Sequence, residues 1–586
     1  MTVRVRWRAV APLGPVGRES RNPRRCRQDR STGGERRSSL SGQVRLRFTT
    51  RSSPRSRVAR PRPRCADGLA TPPTSRRAST VRIPRTIPIA ATAIALAASG
   101  LATGIAAAPA ATAATSAAAA AANSNHVVVI GIDGALFDRI AAADAPNLDA
   151  MIASGYSSKT WLYAAPMAQT LSGPGWATNL TGVWPDKHKV LSNTWGTTSD
   201  ITEYPDFLTR LERANSALTT YADASWNPIV DGSVGTPLIG TVDKRYAATS
   251  DADAAANAVS TLRSTGPNAS FVHFDDVDHA GHSYGAASQQ YLDAISEVDG
   301  YVGRLQAAVR ARSTYSSEQW SFIVTADHGH TDAGGHGGST PAERSAFIIK
   351  TGPGITKQTP AIRPKNVDIA ADVLATFGVA RPAELDGRPL ATASTDPFDT
   401  MVGALKPRVD ESGIPVSTLG WTKSMPTGWS VDNTGMGTGG VTEWAGWTLT
   451  DDDFWTQSQR DQTREANVRE RGVFAVADSD EWADKTHTGT FSSRITSQPY
   501  SVVGKTSATV SFGNHYRQEG TQQATVLVSF DGGAFRQVAS YTTDQIAQVA
   551  SVPVTVPSGA KQVRVQWALT SADNDWYWAI DEPQVR

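Results

Sequence analysis

The chain of 586 residues is longer than one ordinary domain, and 40% of it is hydrophobic, enough for a large core. Its formal charge of +2 hides two opposite parts: residues 1–85 hold 23 Arg, no Lys and 4 acidic residues, and the remainder holds 34 basic against 51 acidic residues. A body of that sign repels polyphosphate, which excludes general nucleic-acid binding.

Residues 1–85 are rich in Arg, Ser and Pro and lack hydrophobic periodicity, so the sequence predicts a disordered leader. Arg82 and Arg85 precede the run IPIAATAIALAASGLATGIAAAPA, and residues 86–122 read as a secretory signal with an Ala-rich linker. Ala dominates this run and Gly100 and Gly104 interrupt it, which argues against a stable membrane anchor and for a secreted, extracellular protein. Both cysteines, Cys26 and Cys65, lie in the leader, so the body uses neither disulfides nor thiolate metal sites.

From residue 123 to 397 the pattern is α/β. HVVVIGID is a continuous apolar run ending at Asp133, the mark of a parallel strand buried on both faces. APNLDAMIASG follows as a helix stopped at Gly155. Further along, ALTTYA, SFVHFDDVD, WSFIVTAD and SAFIIKTG read as strands. DADAAANAVSTLRS, YLDAISEVDGYVGRLQAAVRAR and VDIAADVLATFG read as helices. This alternation predicts a doubly wound, mixed but mostly parallel sheet covered on both faces. Residues 398–425 read as a linker. Residues 426–586 hold short alternating strands such as SATVSFGN, QATVLVSF and KQVRVQWAL, and predict an all-β sandwich or jelly roll. Nine of the 16 Trp fall after residue 420, as core or as platforms for sugars. Asp478, Asp480, Asp484 and Asp581 are candidate ligands of a structural Ca²⁺, with a solvated acidic loop as the alternative.

The chemistry gathers at strand ends. Asp133 closes the first strand, Asp278 and His282 lie in DHAGH, Asp327 and His328 in ADHG, and His336 in GGHGG. Six of the ten histidines fall between His273 and His336, and ligands of open α/β sheets collect beyond the carboxyl ends of strands. Three carboxylates, three imidazoles and one hydroxyl suit two divalent ions, Zn²⁺ first and Mn²⁺ second. The hydroxyl is Ser172, in SGPGWATNLTG, where a helix N-terminus favours an oxygen nucleophile and the phosphate it attacks. An ordinary helix cap is the plainer role for that serine, Thr170 is a second candidate nucleophile, and His273, His279 and His330 rank as supporting residues.

The set IGIDG, SGPGWATNLTG, DHAGH, ADHG, GGHGG and DGRPL resembles the alkaline phosphatase superfamily, and within it the type I phosphodiesterase/nucleotide pyrophosphatase branch. The resemblance covers roughly His126 to Leu390. It implies one metal held by Asp133, Ser172, Asp327 and His328, and another held by Asp278, His282 and His336. It further implies a phosphoryl-serine intermediate on Ser172, and Asn193 as the amide against the phosphoryl oxygen. Trp176 stands where sulfatases of the superfamily have Arg, which argues against a sulfatase. The expected function is a secreted phosphodiesterase or nucleotide pyrophosphatase acting on a small phosphate ester. The alternatives are a phosphomonoesterase or phosphonate hydrolase on the same site, and a surface glycan-binding protein with an inactive catalytic domain.

Overall fold

A computed structural model describes residues 124–586, which belong to one compact unit. The expectations for the leader and the export segment fall outside the described residues.

The first sheet has seven strands: β1 (Asn125–Ile132), β2 (Tyr156–Trp161), β3 (Thr220–Ala224), β4 (Lys244–Ala247), β5 (Ala269–Phe274), β6 (Gln319–Thr325) and β7 (Ser345–Thr351), in the spatial order β2-β7-β6-β1-β5-β3-β4. β1 pairs in parallel with both β5 and β6, and β7 alone runs against its neighbours. The sheet is therefore mixed and mostly parallel, as the alternation of segments implies. β1 explains why both faces are covered. Val128, Ile130 and Ile132 enter one core with the helices Pro146–Ser154, Asp251–Ser264 and Gln289–Arg310. Val127 and Val129 enter the other, with the helices Ser172–Thr181, Phe207–Ala214 and Asp368–Thr376. Period-two side chains on a strand with no polar face require exactly such a double cover.

Two local expectations change. SFVHFDDVD is not a strand to its end: β5 stops at Phe274 and a helix runs from Asp276 to Tyr284. The Asp251 carboxylate accepts the N–H groups of Asp275 and Asp276, satisfying donors that open the helix. β2, of sequence YSSKTW, carries no apolar run and is missed by hydrophobic patterning, yet it pairs with β7 along its length.

Two antiparallel sheets follow. One includes Phe491–Thr496, Gln562–Ala572, Gln523–Phe530 and Arg536–Tyr541; the other includes Gln545–Thr555, Ser507–Tyr516, Tyr577–Val585, Val473–Asp478 and Thr448–Asp451. Both contribute to one core, in which Trp421, Trp429, Trp444, Trp447, Trp455, Trp482, Trp567 and Trp578 are buried. Those indoles are interior packing, not exposed platforms. The stretch 398–425 also departs from a linker, since Phe398, Ile414 and Trp421 enter the same core. The expected acidic quartet does not converge: Asp478 and Asp480 surround the Arg464 guanidinium at 3.2 and 3.4 Å, and Asp581 accepts the Arg471 N–H at 2.8 Å. Among the described residues no helix is long and apolar enough to cross a membrane.

Candidate metal centre

Three adjacent parallel strands, β5, β1 and β6, release their chains at the same edge of the sheet, and this brings distant residues together. Asp133 follows β1, Asp278 and His282 lie on the helix after β5, and Asp327 and His328 follow β6. Asp133, Asp327 and His328 are wholly buried, and Asp278 and Ser172 nearly so.

Ser172 is the first residue of the helix Ser172–Thr181, whose cap position is Leu171 and lacks a side-chain cap bond. The serine hydroxyl is 3.4 Å from His328 Nε2. Two glycines permit this approach. A Cβ on Gly175 would stand 2.5 Å from the Asp327 carbonyl oxygen, and one on Gly131 would stand 2.3 Å from the Trp176 ring. Trp176, one turn beyond Ser172, donates its indole N–H to Asp133 Oδ2 at 2.8 Å. Thr170 is placed differently: its hydroxyl donates to Gly338 O and accepts the Gly337 N–H, both at 3.0 Å.

Two groups of ligand-type atoms result. In the inner one His328 Nε2 lies 3.4 Å from Asp133 Oδ1 and 3.3 Å from Asp327 Oδ2. His328 Nδ1 faces Gly329 O at 3.1 Å, so Nε2 presents its lone pair inward. Asp133 Oδ1 and Asp327 Oδ2 are buried and lack a hydrogen-bond donor. In the outer one His282 Nε2 and His336 Nε2 stand 3.0 Å apart, at 3.3 and 3.5 Å from the Asp278 carboxylate. His336 Nδ1 faces Thr170 O at 2.8 Å, and its ring stacks on that of His328 at 3.7 Å. The His282 side chain is half exposed, so the outer group meets solvent.

The electrostatics are those of a site lacking internal cations. Burial raises Asp133 and Asp327 well above the carboxylate range, and neighbouring carboxylates, Asp278 for Asp133 and Asp133 for Asp327, add to it. Burial would raise Asp278 too, but the His330 hydrogen bond and the imidazoles of His328, His330 and His336 hold it below the usual range. Burial lowers His328 far below an ordinary imidazole, and His336 and His330 lower it further. Carboxylates this deep need a cation or a proton. The orphaned oxygens and inward lone pairs fit a divalent ion in each group, and the candidate metal-binding clusters include Asp133, Asp278 and His328 in one and Asp278, His282, His330 and His336 in another.

Every ligand residue expected from the sequence therefore lies at this edge. Asn193 accepts the Gly173 N–H on its Oδ1 at 2.7 Å, which leaves its Nδ2 for another acceptor. Two histidines take a closer part than a supporting rank implies. His330 Nε2 is 2.6 Å from Asp278 Oδ1, closer than either of the other outer imidazoles. His273 Nε2 is 3.1 Å from Asp133 Oδ2, the oxygen that Trp176 also contacts. The only sequence signal for them is position: His330 stands two residues after His328, and His273 sits in β5 opposite Gly131 of β1.

The fold and the centre define a class: a doubly wound α/β protein with an Asp/His metal-type cluster beside a serine at a helix N-terminus. Residues 127–365 match the family model "Type I phosphodiesterase / nucleotide pyrophosphatase", so the chain contains a domain of that family. GPI ethanolamine phosphate transferase 1 of Yarrowia lipolytica is 36% identical over 95 residues, 16% of this chain and 10% of that protein. Ectonucleotide pyrophosphatase/phosphodiesterase family member 7 of Rattus norvegicus is 24% identical over 223 residues, 35% of this chain and 50% of that protein. The structure of human ectonucleotide pyrophosphatase/phosphodiesterase 5 aligns at 13% identity with a TM-score of 0.37, over 44% of this chain and 96% of that one. The chain spans between a tenth and half of the length of these two curated relatives.

Proposed function

We propose that the protein is a secreted, metal-dependent phosphodiesterase or nucleotide pyrophosphatase that acts on small phosphate esters through a phosphoryl-serine intermediate. The observation that carries this reading is Ser172 Oγ, held 3.4 Å from the inward lone pair of His328 beside two buried carboxylate oxygens without donors. The inner ligands are Asp133, Ser172, Asp327 and His328; the outer ones are Asp278, His282 and His336. The buried nitrogen and oxygen donors of the inner group would suit Zn²⁺ first and Mn²⁺ second. Bound there, two divalent ions supply Lewis acidity that favours the ionised hydroxyl and the charge developing on the leaving oxygen.

The protein's own groups do the rest. Ser172 releases its proton to solvent water and its oxygen bonds to phosphorus as the ester oxygen opposite departs with the P–O bonding pair. Asn193 Nδ2 and the N–H groups of the first helical turn hold the equatorial oxygens. Water then attacks the phosphoserine, restoring the hydroxyl; two inversions leave the configuration at phosphorus unchanged. Thr170 supports this choice of nucleophile indirectly, because its hydroxyl already serves the loop that carries His336.

A second reading draws on the transferase relatives: an alcohol in place of water would take the phosphoryl group from Ser172. The test is turnover of bis(4-nitrophenyl) phosphate by zinc-loaded protein, with 4-nitrophenyl phosphate as the monoester control. Ser172→Ala is expected to lose all turnover and keep its metal content. Full activity in that variant, or preference for the monoester, defeats the proposal. Faster product release with added ethanolamine at constant hydrolysis would move the assignment to transfer.

A further inference from the structure

Asp396 and Asp581 form a second ion-binding candidate, far from the chemistry at β1 in sequence and built of oxygen alone. Asp396 lies in the segment that enters the sandwich, and Asp581 on its last strand, Tyr577–Val585. Their exposures are 7% and 0%, and the two carboxyl groups are within hydrogen-bonding reach of each other. Neither oxygen of Asp396 accepts a well-formed hydrogen bond, the Phe398 N–H being the backbone donor near it, nor does Asp581 Oδ1; Asp581 Oδ2 is served by the Arg471 N–H at 2.8 Å.

The cationic groups around the pair are engaged elsewhere. Arg471 grips both oxygens of Asp368 at 2.8 Å, and Arg388 meets Glu582 at 2.6 Å. The neighbouring acid Asp399 takes the Val473 N–H at 3.0 Å and the Ser394 hydroxyl. Two buried carboxylates in contact cannot both stay ionised unless a cation joins them; the other resolution is one shared proton. Burial pushes Asp396 up to about 7 and Asp581 further, so the pair resists ionisation unaided.

We infer that Asp396 and Asp581 bind one calcium ion, which fastens the segment entering the sandwich to its final strand. Three free carboxylate oxygens suit a hard cation of adaptable coordination, with backbone and water oxygens completing the shell, and they lack the nitrogen or sulfur donors that zinc selects. The site is independent of the proposed catalysis and stands or falls without it.

The test uses the full chain, stripped by chelator and reloaded with saturating zinc so that the Asp/His centre is filled. Calcium is then titrated calorimetrically and thermal unfolding is followed in parallel. One equivalent of calcium is expected to bind and to raise Tm, and both effects are expected to vanish in Asp396→Asn and in Asp581→Asn. Absence of calcium binding by the unmodified protein overturns the inference without any variant. An unchanged calcium response in either variant also overturns it, as does a calcium-insensitive Asp396→Asn protein whose Tm matches an equally insensitive parent, the behaviour of a shared proton.

Discussion

Arg344 and Asp452, 108 residues apart, form a buried ion pair at 3.0 Å that joins the α/β sheet to the sandwich. The same guanidinium donates to Leu162 O and to the Thr456 hydroxyl. Arg344 ends the short helix Pro341–Arg344, whose Glu343 accepts the Gly338 N–H of the loop that carries His336. The sandwich thus braces one wall of the candidate centre.

Asp452→Ala leaves Arg344 buried without its counter-charge, a change that costs roughly 3–5 kcal/mol when such a pair is broken from one side. Urea unfolding is expected to show that loss together with weakened metal binding in the outer group. A change under ~1 kcal/mol would mean that the pair behaves as a surface bridge.

Trp176→Phe removes one donor from Asp133 Oδ2, leaving His273 alone on that oxygen, and withdraws the indole edge that faces Gly131. Loss of such a supporting bond typically lowers metal affinity about 10–100-fold. Competition against a zinc-sensitive dye measures it, and parental affinity would show the indole to be packing only.

Gly175→Ala places a methyl where the Asp327 carbonyl oxygen lies at 2.5 Å. The helix must retreat, carrying Ser172 with it. Overpacking costs ~1–3 kcal/mol and turnover is expected to drop much further than stability. Equal losses in both would place the effect in the fold and not in the nucleophile.

Burial pushes Glu411 up to about 7, with Glu443 and Asp478 contributing in the same direction, while the Trp444 indole N–H bond opposes it. An unfolded glutamate titrates near ~4.3, so between these values the native state holds a proton that the unfolded chain releases. The contribution of Glu411 to stability is full below pH ~4 and declines as pH rises toward 7. Glu411→Gln keeps an acceptor for the indole and removes this term. Relative to the variant, the parent is expected to lose urea resistance between about pH 4 and pH 7; parallel curves would refute the assignment.

Much of this architecture is written in hydrophobic runs. β1, β5 and β6 are legible because strands buried on both faces have no polar alternation, and their terminal aspartates are legible because charge there has no packing role. β2 is illegible for the opposite reason: its Ser157, Ser158 and Thr160 are buried by pairing with β7 and by contacts with distant Gln358 and Asn366, which no local pattern encodes. His330 and His273 are chemically identical to the ligands beside them. Only the path of the chain after β6, and the register of β5 against β1, place their nitrogens on Asp278 and Asp133. The acids of the sandwich mislead because proximity in sequence, as in Asp478 and Asp480, follows a guanidinium, and the partner of Asp581 lies 185 residues earlier.

His282 is half in solvent, whereas Asp133, Asp327 and His328 are sealed. Ions held by the two groups would consequently differ in lability, the outward one exchanging on its own and the inward one escaping only when the surroundings breathe. Chelation would then proceed in two phases, passing through a long-lived half-loaded species whose serine is still poised but whose departing oxygen has lost its support.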